Sequence, residues 1–127
     1  MGTVLVVDDD PEILQLLQMT LKTAGYDVLT ARTGSEFKTQ ALKSRPDLIV
    51  LDIMLGDEYG PDIYDKLIHQ GLDADVPVIF LSALAEDRPL EEPRPGRKYA
   101  LLGKPFEITQ LIHEIQILTG EVRKNSP

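Results

Sequence analysis

The stretch V-L-V-V-D-D-D-P-E-I, residues 4–13, drives four aliphatic residues straight into three aspartates and a proline. A short, continuous apolar run rich in β-branched residues reads as a strand buried on both faces. Pro11 suits the first turn of a helix, with Asp10 as its N-cap. Adjacent carboxylates repel, and desolvating them is costly without a cation or hydrogen bonds. Asp8 and Asp9 at the mouth of a buried strand therefore either sit solvated or hold something positive.

Working outward, the same punctuation recurs. Ile13, Leu14, Leu16, Leu17 and Leu21 follow at helical spacing, and Gly25 closes that helix. Tyr26–Thr30 reads as a second strand, and Ser35 is placed to cap a helix running to about Ser44. Leu48–Leu51 is a third apolar run ending in Asp52, and Gly60-Pro61 opens a helix carrying Ile63, Tyr64, Leu67 and Ile68. Val76–Leu81 ends in Ser82, Leu101-Leu102 ends near Lys104, and a last helix spans Glu107–Thr119. Strands alternating with helices predict one α/β domain, residues 1–120, around a parallel sheet covered on both faces. Residues 121–127 read as a polar tail or the start of a linker.

Composition narrows the function. The chain has 127 residues, net charge -8 and no cysteine. Disulfides, thiolate zinc sites and cysteine nucleophiles are excluded. The acidic balance argues against direct nucleic-acid binding by this domain and against a polybasic membrane contact. No run approaches a membrane span, and Met1-Gly2-Thr3 leads into a strand-like run and not a leader pattern. The expected location is cytoplasmic.

In a parallel sheet, ligand sites lie at the carboxyl ends of the strands. Asp8 and Asp9, Asp52, Ser82 and Lys104 all fall there. Three carboxylates with strand carbonyls nearby make an all-oxygen site for a hard divalent cation, with magnesium the leading candidate. Lys104 offsets part of the remaining charge, and the cluster is suited to a phosphoryl group.

These residues resemble the receiver domain of two-component response regulators. The likeness rests on VLVVDDD, DLIVLDIMLGDEYG, PVIFLSA and GKPF in that order, and covers nearly the whole chain. It implies a (βα)5 flavodoxin-like fold, a doubly wound sheet of order 2-1-3-4-5. It further implies that Asp52 accepts a phosphoryl group from a histidine kinase. Magnesium would be held by Asp8, Asp9, Asp52 and the backbone carbonyl of Met54. Ser82 and Lys104 would contact the phosphoryl group, and Lys104-Pro105 would be a candidate cis peptide. The implied partners are a histidine kinase or phosphotransfer protein, and an effector domain or a second copy of the chain. Such a domain is a signalling switch, promoting its own phosphorylation and dephosphorylation. His69 and His113, on helices away from the strand ends, read as structural.

The sequence departs from the family pattern in three places. Gly56 stands where the family usually has proline. Pro89, Pro93 and Pro95 interrupt the segment of the fourth helix, which is expected to be short or irregular. Leu101 stands three residues before Lys104, where the family often has an aromatic switch residue, with Tyr99 expected on the opposite phase or outside the strand. Met54 and Leu84, two residues after Asp52 and Ser82, carry no group that orients an attacking water, so slow self-dephosphorylation is expected. Two other functions compete. One is a receiver fold that binds partners independently of phosphorylation. The other is a small haloacid-dehalogenase-type phosphatase, against which Glu12 stands where that family has Thr or Val.

Overall fold

The computed structural model describes residues 2–83 and 98–121. Among the described residues the elements follow in chain order: β1 (Thr3–Val7), α1 (Pro11–Thr23), β2 (Asp27–Ala31), α2 (Gly34–Ser44), β3 (Leu48–Asp52), β4 (Met54–Leu55), β5 (Glu58–Tyr59), α3 (Gly60–His69), β6 (Val78–Ser82), β7 (Tyr99–Gly103) and α4 (Ile108–Leu118). Five strands form one sheet of order β2-β1-β3-β6-β7, every pair parallel. Leaving aside the short β4–β5 hairpin, that is the doubly wound order 2-1-3-4-5 expected of a flavodoxin-like fold.

The continuous apolar runs are explained by a core on each side of the sheet. Leu5, Val7, Ile49, Leu51, Val78 and Phe80 face Phe37, Ala41, Tyr64 and Leu67 of α2 and α3. Their chain neighbours Val4, Val6, Leu48, Val50, Ile79 and Leu81 face Leu14, Leu17 and Leu21 of α1 and Leu111 and Ile115 of α4. Period-2 alternation thus delivers apolar residues to both faces, so residues 4–7 of β1, 48–51 of β3 and 78–81 of β6 are all apolar. Aromatic edges tie one layer together: Tyr64 and Tyr99 each meet Phe80 edge-on, at 6.1 and 6.2 Å between ring centroids.

The helix termini follow local chemistry. Asp10 caps α1 by accepting from the Glu12 N–H at 2.9 Å, with Pro11 in the first turn, as expected. Gly25, at φ 104°, lets the chain leave α1. For α2 the cap is Thr33 and not Ser35: its Oγ1 accepts from the Glu36 N–H at 3.1 Å. Ser35 already lies inside the helix. Tyr99 also differs from expectation. It is the first residue of β7, on the same face as Leu101, because residues two apart share a face. Glu121, assigned from sequence to the polar tail, accepts a hydrogen bond from the Tyr26 hydroxyl at 3.1 Å. Burial, reinforced by Glu121, pushes the Tyr26 phenol up to about 12. The expected irregular fourth helix, with Pro89, Pro93 and Pro95, lies outside the described residues.

One glycine fixes how closely α3 approaches the sheet. A Cβ on Gly60 would collide with the backbone carbonyl of Asp52, and it would lie 3.2 Å from that of Ile53. The Gly60 N–H also donates to the Ile53 carbonyl at 2.6 Å. Backbone cannot yield there as a flexible side chain can. Gly60→Ala should therefore cost about 1–3 kcal/mol in urea unfolding, by overpacking against the end of β3.

Candidate functional site

Strand register brings the polar residues together. Val7 of β1 pairs with Leu51 of β3, so the next residues, Asp8 and Asp52, emerge side by side. Asp52 pairs with Leu81 of β6, and Ser82 pairs with Gly103 of β7. Lys104 follows directly, held by its N–H to the Ser82 carbonyl at 2.6 Å. The Lys104-Pro105 peptide is cis.

The geometry is compact and largely buried. Lys104 Nζ donates to Asp8 Oδ2 at 2.9 Å and to Asp52 Oδ2 at 3.1 Å. Asp8 is fully buried and Asp52 nearly so, whereas Asp9 is exposed. The other Asp8 oxygen accepts from the Asp10 N–H at 2.9 Å, and Asp52 Oδ1 accepts a longer bond from the Met54 N–H at 3.4 Å. Asp9 Oδ2 accepts from the Gly56 N–H at 2.9 Å. One carboxylate oxygen from each of Asp8, Asp9 and Asp52 lies within 4.8 Å of the others.

The charges do not balance. Among the described residues, three carboxylates face one ammonium, a surplus of negative charge that a single divalent cation would neutralise. The imbalance appears in the titration of Asp52. Burial, then the charge of Asp8, push its carboxyl up to about 6, against the downward pull of Lys104 and the Met54 N–H. Burial pulls Lys104 down, but its hydrogen bond to Asp8 and the charges of Asp52 and Asp8 outweigh that, and its pKa is raised. One base shared by two buried acids stays charged, and one acid is left short of compensation. Hard, all-oxygen donors, two of them buried, fit magnesium or a similar cation.

The sequence-predicted residues Asp8, Asp9, Asp52 and Lys104 thus converge. Ser82 stands half-buried at the strand end beside them, and Met54 lies at the rim, 39% exposed. Leu84 is outside the described residues. His69 and His113 are exposed on helices α3 and α4. Leu101 is half-exposed on β7. Sequence reasoning missed the β4–β5 hairpin, which pairs Met54 with Tyr59 and Leu55 with Glu58 and carries Gly56 at its turn. Its signal was a glycine leading a two-residue loop.

Comparison with known proteins agrees with this geometry. The response regulator receiver domain family matches residues 4–116, and the chain belongs to that family. It is 33% identical over 118 residues to the DNA-binding dual master transcriptional regulator RpaA of Synechocystis, covering 93% of this chain and 49% of that protein. It is 36% identical over 118 residues to the probable transcriptional regulatory protein TcrX of Mycobacterium tuberculosis, covering 91% and 49%. The chain spans about half the length of these curated relatives. Among solved structures, chemotaxis response regulator CheY4 of Vibrio cholerae superimposes with TM-score 0.81 at 30% identity, covering 93% of this chain and 98% of that one. No helix among the described residues is long and apolar enough to cross a membrane.

An acid whose folded pKa lies above its unfolded value binds its proton more tightly when folded. Ionised Asp52 is therefore destabilising: the penalty is full above about pH 6 and fades as pH falls towards about 4. In metal-free buffer at about pH 7.5, Asp52→Asn should stabilise the protein by about 1–3 kcal/mol in urea unfolding. The difference should disappear near pH 4, and saturating magnesium should shrink it by stabilising only the wild type.

Proposed function

We propose that this receiver domain is a phosphoryl-accepting switch, with Asp52 as the acceptor and a histidine kinase or phosphotransfer protein as the donor. The observation that carries the reading is the placement of Asp52. It is a nearly buried carboxylate at the end of a central strand, hydrogen-bonded to Lys104 and within reach of two further aspartates. A carboxylate attacks an anionic phosphoryl group only where charge is neutralised, and phosphoryl transfer needs chiefly positioning and electrostatics.

Asp8, Asp9, Asp52 and the Met54 backbone carbonyl would hold magnesium. When bound, magnesium would supply positive charge to the phosphoryl oxygens and balance the cluster. An Asp52 carboxylate oxygen forms the new O–P bond as the N–P bond of a phosphohistidine breaks, and the imidazole leaves with the N–P electron pair. Lys104, already bonded to the Asp52 carboxylate, keeps its ammonium beside the oxygens of the transferred group. Ser82 supplies a hydroxyl from the neighbouring strand end. An apolar groove of about 370 Å³ lined by Ile13, Leu16, Lys104, Pro105 and Phe106 adjoins the cluster. It gives a donor helix a place to rest while its histidine reaches Asp52.

The added charge and acceptor oxygens bias a two-state equilibrium that a partner reads. The output is proposed to pass to an effector domain or a second copy of the chain, in the cytoplasm. With Met54 at the rim in place of a charged or amide side chain, loss of the phosphoryl group by hydrolysis is slow. A phosphorylation-independent interaction module remains the second reading, because partner binding need not require the acceptor.

Incubation with acetyl phosphate and magnesium, read by intact mass, should give one phosphoryl adduct. Asp52→Asn should give none, and omitting magnesium should abolish it. Equal partner binding by wild type and Asp52→Asn would instead favour the constitutive module.

A further inference from the structure

Asp9 is the one member of the carboxylate cluster that burial does not fix. Asp8 is fully enclosed and Asp52 nearly so, and both are tethered by Lys104. Asp9 is exposed, and its described tether is a single hydrogen bond accepted at Oδ2 from the backbone N–H of Gly56, 2.9 Å away and 47 residues along the chain. An exposed aspartate side chain samples several rotamers, so a bond of this reach selects the one turned towards Asp8 and Asp52.

The donor is itself held in place. Gly56 leads the two-residue turn of the β4–β5 hairpin at φ 61°, a conformation other residues rarely adopt, and an added Cβ there would meet no atom within 4 Å. Leu55 on one arm is buried in the core, and Leu55 pairs with Glu58 on the other. The Glu58 carboxylate lies where a Cβ on Gly34, at the first turn of α2, would approach it to 2.9 Å. The hairpin is thus pinned to the core on one arm and lies against a helix N-terminus on the other. Its turn N–H points at Asp9. A proline at this position would have no N–H to give.

We propose that the Gly56 N–H is a positioning group for the metal site: it pre-orients Asp9, so that divalent-cation affinity depends on the conformation of the β4–β5 turn. The inference rests on the reading of Asp8, Asp9 and Asp52 as cation ligands. Hydrogen-bond partners that orient a ligand typically change metal affinity by about 10–100-fold when removed.

The test is magnesium titration of the whole chain by calorimetry, with an amide-to-ester replacement at position 56. The ester removes the N–H and leaves the turn free to keep its positive φ. Magnesium should bind the ester variant about 10-fold more weakly, with metal-free thermal stability close to wild type. Gly56→Asn keeps the N–H and tolerates positive φ, and should bind magnesium as the wild type does. Independently, in metal-free protein the Gly56 amide should exchange slowly with solvent, and that protection should be lost in Asp9→Ala. Unchanged magnesium affinity in the ester variant, with wild type binding normally, would overturn the positioning role alone. Absence of magnesium binding by the wild type would overturn the cation site and this inference with it. An unprotected Gly56 amide would overturn the hydrogen bond on which the inference stands.

Discussion

Asp8 and Asp52 leave adjacent strands side by side, and the Lys104 ammonium lies between them as the cation the described residues supply. The double contact, 2.9 and 3.1 Å, closes the carboxyl edge of the sheet across β1, β3 and β7. Removing two carboxylates from water is costly, and one lysine cannot compensate both and Asp9 as well. Among the described residues the site is left anionic, and the pKa of Asp52 is raised by its burial first and by the charge of Asp8 second. A stability-optimised edge would have placed fewer acids there. Three clustered acids are chemically suited to a divalent cation, the partner proposed for them.

The rest of the fold serves that edge. Apolar residues on both faces of β1, β3 and β6 fix the register, because slipping by one residue would exchange the two cores. Fixed register in turn fixes which residues stand at the strand ends. Gly60 lets α3 come against the Asp52 carbonyl, and the Asp10 N–H holds one oxygen of Asp8. Packing energy thereby positions charges that would otherwise repel each other apart.

Much of this was legible in the sequence, for a physical reason. A buried parallel strand shows as an apolar run that stops at a polar residue, so Asp52 and Ser82 at the ends of β3 and β6, and Asp8 and Lys104 just past β1 and β7, stand out by position. The α1 cap was equally clear, since Asp10 and Pro11 admit one arrangement. Other features were not. Ser35 is placed to cap α2 by its type alone; the cap is Thr33, and Glu36 accepts from the Arg32 N–H and completes the turn around it. The β4–β5 arms, two residues each, are too short to show a period. Tyr99, expected on the opposite phase or outside the strand, opens β7 on the same face as Leu101 because residues two apart along a strand share a face. Asp9 could be placed in the carboxylate cluster from sequence, but its tether to Gly56 spans 47 residues and only the fold reveals it.

The central claim, that the cluster holds an uncompensated charge awaiting a cation, is tested most directly by following the Asp52 carboxyl carbon by ¹³C NMR across pH, with and without magnesium. The account predicts an apparent titration near pH 6 in metal-free protein, falling to the ordinary aspartate range or below when magnesium is saturating. An Asp52 that titrates as an ordinary aspartate without metal, and does not respond to magnesium, would contradict it.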